Sequence, residues 1–231
     1  MIRRLIILLL IVGCEKDTVA PNPSLCDGLT EVELWGEYYD IESTTSLDLE
    51  NEGLTASIPP EIGCLTNLDT LHLGSNQLTG EIPPEIWEMT NLGFLHLHNN
   101  QLTGEIPAEI GNLTNLFALS LYDNQLTGGI PPEIGNLTHL FYLSLWSNHL
   151  TGEIPSGIWN LTNLGFLHLH NNQLTGEIPS EIGNLTNLIQ LALSNNQLSG
   201  EIPQEVCNLI ESNNLDMDWI LDGNNLINTC E

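Results

Sequence analysis

Five of the seven histidines fall at recurring spacings, and imidazole is the side chain best suited to proton transfer near neutral pH and to metal ligation. His72 and His96 stand 24 residues apart, His96 and His98 two apart, and the two-residue spacing returns in His168 and His170. On neighbouring extended strands His72 and His96 would lie about 4.8 Å apart and His96 and His98 about 6.6 Å apart, within reach of a shared zinc ion. A solvent-facing set of imidazoles has no second layer of groups to orient it, so no metal site is expected. Ser120, Asp123 and His96 offer a hydroxyl, a carboxylate and a base, yet their spacing enforces no order of nucleophile, base and orienting group. The expectation is a chain that is not an enzyme and uses no cofactor. Interleaved with the histidines are Phe94, Tyr122, Tyr142, Trp146 and Phe166, which are residues of contact rather than catalysis.

What must position these side chains is a repeat with a period of 24. Asparagine returns at Asn76, Asn100, Asn124, Asn148, Asn172 and Asn196, each two residues before a leucine, and three leucines precede each one, as Leu92, Leu95 and Leu97 precede Asn100. An incomplete unit comes first, with Leu47, Leu49 and Leu54 in register and Glu52 in the asparagine place; another follows a four-residue insertion, with Trp219, Leu221, Asn224 and Leu226. In Leu95-x-Leu97 the two-residue alternation points both leucines inward and Phe94, His96 and His98 outward, which defines a short strand. One such strand cannot bury its face alone, but stacked copies form a parallel sheet over a continuous leucine core. The asparagine amide is then structural, pairing with backbone groups of adjacent coils. Gly104-Glu105-Ile106-Pro107 and its equivalents supply a turn and a second extended stretch, and the following EIGNLT a short helical turn.

The unit LxxLxLxxNxLTGEIPxEIGNLTN resembles the plant-type leucine-rich repeat, a family that includes receptor-kinase ectodomains and polygalacturonase-inhibiting proteins. The resemblance implies an α/β solenoid: a right-handed arc or superhelix with a parallel concave β-sheet, short second strands and 3-10 or helical turns on the convex side. Its function in that family is binding. The expected organisation is an export signal over 1–13, a tether over 14–25, an N-terminal cap over 26–43, seven 24-residue repeats over 44–210 and a C-terminal capping repeat over 211–231.

The start of the chain reads as an address. Arg3 and Arg4 precede eight apolar residues, Leu5 to Val12, which are too few to span a bilayer, and Ile11-Val12-Gly13-Cys14 resembles the bacterial lipobox in which the cysteine is acylated. That resemblance implies export and a lipid anchor at Cys14 in a bacterial cell envelope, with no other contact to membrane. The remaining four cysteines are Cys26, Cys64, Cys207 and Cys230. Cys64 lies in the first coil and Cys207 in the seventh, so a bridge between the ends would span roughly 30 Å where bridged Cα atoms need about 7 Å or less. Only Cys26–Cys64 and Cys207–Cys230 survive, each pinning a cap. Trp35, Tyr38 and Tyr39 are expected to help close the N-terminal end.

Charge narrows the partner. The chain has 3 Lys and Arg against 30 Asp and Glu, and all three cations lie within the first sixteen residues. Such a field repels nucleic acid, anionic lipid and acidic polysaccharide, which all need a cationic footprint. Two rows of glutamate, one from Glu81 to Glu201 and one from Glu61 to Glu205, would set like charges at solenoid spacing and attract divalent cations non-specifically. Four N-L-T triplets, from Asn112 to Asn184, are dictated by the repeat and are no evidence of glycans. The candidate ligand face is therefore His72, Phe94, His96, His98, Tyr122, Tyr142, Trp146, Phe166, His168 and His170, with a protein or peptide as the expected partner. A neutral glycan stacked on the aromatics, cell-surface adhesion, and a structural or ice-facing role with the row Thr55, Thr79, Thr103, Thr127, Thr151 and Thr175, remain alternatives. The lipobox makes its own prediction: Cys14→Ser shifts the protein from the membrane fraction to the soluble fraction or leaves an uncut precursor, and unchanged acylation in that variant contradicts the assignment.

Overall fold

A computed structural model describes residues 25–230; the signal, Cys14 and nearly all of the tether lie outside the described residues. Strands Ser46–Asp48, Thr70–His72, Phe94–His96, Ala118–Ser120, Tyr142–Ser144, Phe166–His168 and Gln190–Ala192 lie side by side in that order in one parallel sheet. Leucines pair with leucines at the centre of every rung, from Leu47 beside Leu71 to Leu167 beside Leu191, so the register advances by a whole repeat per coil. One leucine per rung faces inward from each of these strands, and the core they line runs unbroken from Val32 to Ile220. Trp87 and Trp159 fill the convex side of that core, and both are almost fully buried.

At the end of each concave strand the chain turns through a left-handed residue, for example Ser147 at φ 53° and Asn171 at φ 55°. Asn and Asp tolerate this region better than most side chains, which accounts for Asn99, Asp123, Asn171 and Asn195 but not for Ser75 and Ser147. The ladder itself behaves as the repeat implies. Asn148 Nδ2 donates to Leu121 O and Leu145 O at 3.1 Å each and to Trp146 O at 3.3 Å, and its Oδ1 accepts from Leu126 N at 3.0 Å. Two of those partners belong to the preceding coil. The same bonds recur at Asn76, Asn100, Asn124, Asn172 and Asn196.

The second strands differ from expectation in register. Thr79 pairs with Gln101 and Glu81 with Thr103, and Glu153 pairs with Thr175, so each step slips two residues relative to the repeat. Two consequences follow. The glutamate row does not face itself across the sheet, since Glu81, Glu105 and Glu153 each lie beside a threonine. The threonine row is likewise interrupted by carboxylates. Convex turns are 3-10 throughout, from Pro60–Cys64 to Ser180–Asn184, each entered from a proline. Glu85, from the next turn, lies against Gly63 so closely that a Cβ on that glycine would sit 2.5 Å from it, which is why a small residue is used there.

Both ends are capped. At the N-terminus an antiparallel hairpin, Glu31–Leu34 with Glu37–Asp40, buries Val32 and Leu34 over the first coil, and Cys26 is bonded to Cys64. Trp35 and Tyr39 pack against the core, whereas Tyr38 is exposed and donates to Glu33. At the C-terminus the last convex turn lengthens into helix α1, Gln204–Asn213, and Cys207 is bonded to Cys230. The final coil corrects the sequence reading: residues expected to form an eighth concave strand form helix α2, Asp218–Leu221. Its phase is therefore inverted, with Ile220 fully buried and Trp219 exposed. A helical turn ends the sheet without offering another edge for strand pairing. The closing strand Asn225–Ile227 pairs with Ser199–Glu201 in a register that absorbs the four-residue insertion.

The bridge Cys207–Cys230 closes a loop with a sequence separation of 23. Replacing both cysteines by serine is expected to cost about 3 kcal/mol of stability. Denaturant unfolding with amide exchange checks it: early loss of protection belongs in α1 and Asn225–Ile227, and uniform loss along the whole sheet would contradict end-capping.

Candidate binding face

The outward residues of the concave strands form three columns. The column just beyond the strand ends, His98, Tyr122, Trp146 and His170, is a stack of rings: centroids lie 4.6 Å apart from His98 to Tyr122 and from Tyr122 to Trp146, and 5.0 Å from Trp146 to His170, at interplanar angles of 20°, 10° and 11°. This spacing is the coil spacing of the sheet, so the backbone sets it. The stack closes at one end on Gly74, where a Cβ would sit 2.5 Å from the His98 ring, and at the other on Trp219, 5.9 Å from His170. The central column begins with His72 and His96, stacked at 4.2 Å, continues through Ser120 and Ser144, and ends at His168, edge-on to Tyr142 at 5.6 Å. Phe94, Tyr142 and Phe166 stand in the third column. All ten sequence-predicted site residues thus share one face.

Burial favours the neutral form of four imidazoles of the face, His96, His98, His168 and His170. Burial pushes His96 down to about 4, with the neighbouring His72 and His98 adding to the effect, and burial followed by His168 pushes His170 down to about 4. His98 and His168 are lowered by burial as well, in His98 against the opposing pull of Glu50. Face-to-face stacking aims the ring nitrogens of His72 and His96 in parallel planes rather than at one point. Among the described residues no group of three or more His, Cys, Asp or Glu is arranged to hold a metal ion.

Ser120, Asp123 and His96 do not form a hydroxyl-base-acid group; their partners lie elsewhere. Ser120 Oγ lies 3.4 Å from His98 Nδ1 rather than beside His96, and His98 Nε2 lies 3.3 Å from Glu50 Oε1. Asp123 instead meets Ser147 Oγ, at 3.4 Å. Ser120 is only 3% exposed, so the chain Ser120–His98–Glu50 presents no nucleophile to a substrate and serves to orient the first ring of the stack.

A second surface escaped the three-column reading. One residue ahead of the strands, Phe117 and Phe141 stack at 5.3 Å and, with Ile189, line a groove of about 700 Å³ rimmed by Asn115, His139, Asn163 and Asn187. Phe117 and Ile189 are 45% and 58% exposed. The signal was in the sequence: the same position holds Asp69, Gly93 and Gly165 in other units, so large apolar residues there depart from the repeat.

These features define the class of protein: a leucine-rich-repeat solenoid with a ring-lined concave sheet. Residues 123–230 match the family model for a leucine-rich repeat region, and residues 67–89 and 91–113 each match the single leucine-rich repeat. No curated protein matches the chain. Among solved structures, the ectodomain of the Arabidopsis receptor kinase HAESA, in complex with an N-terminally extended IDA peptide hormone, is 34% identical, with a TM-score of 0.70 over 81% of this chain and 31% of its own. The plant peptide hormone receptor RGFR1, in complex with RGF2, is 38% identical, with a TM-score of 0.65 over 75% of this chain and 31% of its own. A plant ice-binding protein is 28% identical, with a TM-score of 0.50 over 79% of this chain and 73% of its own. The chain thus spans under a third of the length of either receptor.

The depressed imidazoles carry a sign. The unfolded chain takes up protons on His96 and His170 near the usual histidine value, whereas the folded chain does so only near 4, so the unfolded state binds more protons between them. Stability is therefore expected to fall as pH drops from about 6.5 towards 4, and His96→Phe should flatten part of that slope. Melting curves across this range decide it; a slope unchanged in the variant contradicts burial of neutral rings.

Proposed function

We propose that the protein is an extracytoplasmic recognition module, held by an acylated Cys14 to a bacterial cell envelope, that takes an extended protein or peptide segment on its concave face. The observation that carries this reading is the unbroken stack from His98 through Tyr122 and Trp146 to His170. Aromatic rings fixed by their own stacking present large contact area at little further entropy cost, the property that makes such residues dominate interfaces. The likeness to two receptors whose structures contain peptide hormones supports a peptide-sized partner. Their ligands do not transfer with the likeness. An ice-facing role gains nothing from the second strands, because Thr103 and Thr175 each sit beside a glutamate rather than in an even hydroxyl row.

The test is capture of partners from envelope extract and growth medium by the full chain, followed by titration of the captured ligand. Trp146→Ala is expected to cost about 2 kcal/mol, roughly thirtyfold in affinity, while the convex Glu109→Gln changes little. Equal affinity of wild type and a Tyr122, Tyr142 and Trp146 triple alanine variant would remove the site from the concave face.

A further inference from the structure

The stack of rings ends at a pocket of about 400 Å³ whose wall includes His170, Trp219, Asp216, Asp218 and Asp222. Trp219 is 43% exposed although it belongs to the cap, because α2 turns it outward and buries Ile220 in its place. The three carboxylates are exposed around it. No lysine or arginine occurs in the sequence after Lys16, so no cation of the folded repeats can neutralise them. At the opposite end of the face Asp48 lies 3.9 Å from His72 and Glu50 lies 3.3 Å from His98, whereas at this end Asp216 Oδ1 accepts from Asp218 N at 3.0 Å.

Buried polar atoms without a hydrogen-bond partner lie towards both ends of the face. Ser144 Oγ, His168 Nε2 and His170 Nδ1 have none among the described residues, nor have His72 Nε2 and His96 Nε2, so what distinguishes the cap end is the exposed Trp219 with its carboxylates.

We infer that the concave face receives a basic peptide, and that a guanidinium or ammonium group of that peptide seats against the Trp219 ring among Asp216, Asp218 and Asp222. The inference rests on the concave-face reading above and gives its partner a chemistry. An aromatic face within about 6 Å and converging carboxylates both favour a cation, and a carboxylate or phosphate ligand would meet only repulsion here. Burial holds His170 neutral, so the wall itself contributes no competing positive charge at neutral pH. The uncharged rings from His98 to Trp146 suit the apolar part of the same segment, so that charge selects one end and contact area supplies the rest.

Selection of displayed random peptides on the full chain at near-physiological salt tests this. Wild type is expected to enrich sequences carrying Lys or Arg next to an apolar stretch. A variant with Asp216→Asn, Asp218→Asn and Asp222→Asn, which keeps side-chain size, should lose roughly tenfold or more in affinity for the selected peptide. Trp219→Leu should weaken it as well. A convex variant of equal charge change, with Glu85→Gln, Glu109→Gln and Glu133→Gln, should retain binding within about twofold. Peptides that need Trp146 but carry no basic residue would overturn the cationic pocket and leave the concave face standing as the site. Basic peptides weakened as much by the convex variant as by the cap variant would reduce the effect to general attraction and overturn it too. Failure of wild type to enrich any sequence would overturn both readings.

Discussion

The amide of the ladder asparagine is the interaction on which the rest of this molecule depends. A solenoid coil must turn sharply after each concave strand, and the turn leaves carbonyls and an N–H inside the protein where water cannot reach them. A single side chain with two donor hydrogens and an acceptor resolves this, and it does so across two coils at once: Asn148 takes Leu145 O and Trp146 O from its own coil and Leu121 O and Leu126 N from the coil before. Each turn is thereby tied to its neighbour at a fixed height. Concave rings at 4.6 to 5.0 Å are a consequence of that spacing rather than a separate design.

The asparagine constraint also explains what could be read from sequence. A repeat period, a leucine alternation and an asparagine that must face the interior specify the coil, its inner face and its sheet, so the ten concave residues and both cysteine pairs follow from spacing. The two-residue slip of the second strands does not follow, because no local residue marks it. Nor did the inverted phase of the cap, where Trp219 and Leu221 imitate the leucine spacing but a four-residue insertion lets a helix form. Phe117, Phe141 and Ile189 were visible as departures from the repeat but lay outside the alternation that selected the other candidates.

Function in this architecture lies in the differences between coils. The inward leucines are nearly invariant from one coil to the next, whereas one concave column reads Gly74, His98, Tyr122, Trp146, His170, Ser194. Rings occupy its middle, small residues its ends, and exposed carboxylates gather where the cap begins. Burial keeps His96 and His170 uncharged at neutral pH, and carboxylates lie at the two ends of the face. Of the receptors it resembles, HAESA is in complex with a peptide hormone and RGFR1 with RGF2.

The most direct measurement of the central claim is amide hydrogen exchange in Asn148→Ala compared with wild type. Leu126 N–H loses its acceptor in this variant, and the account predicts faster exchange there and also at Asp123 and Ser147, whose amides donate to Trp146 O and His170 O within the ring stack. The rise should be roughly tenfold or more and centred on these coils, with the capped ends unchanged. Faster exchange at Leu126 alone, with Asp123 and Ser147 as protected as in wild type, would show that the sheet holds the rings in register without the asparagine and would contradict the account.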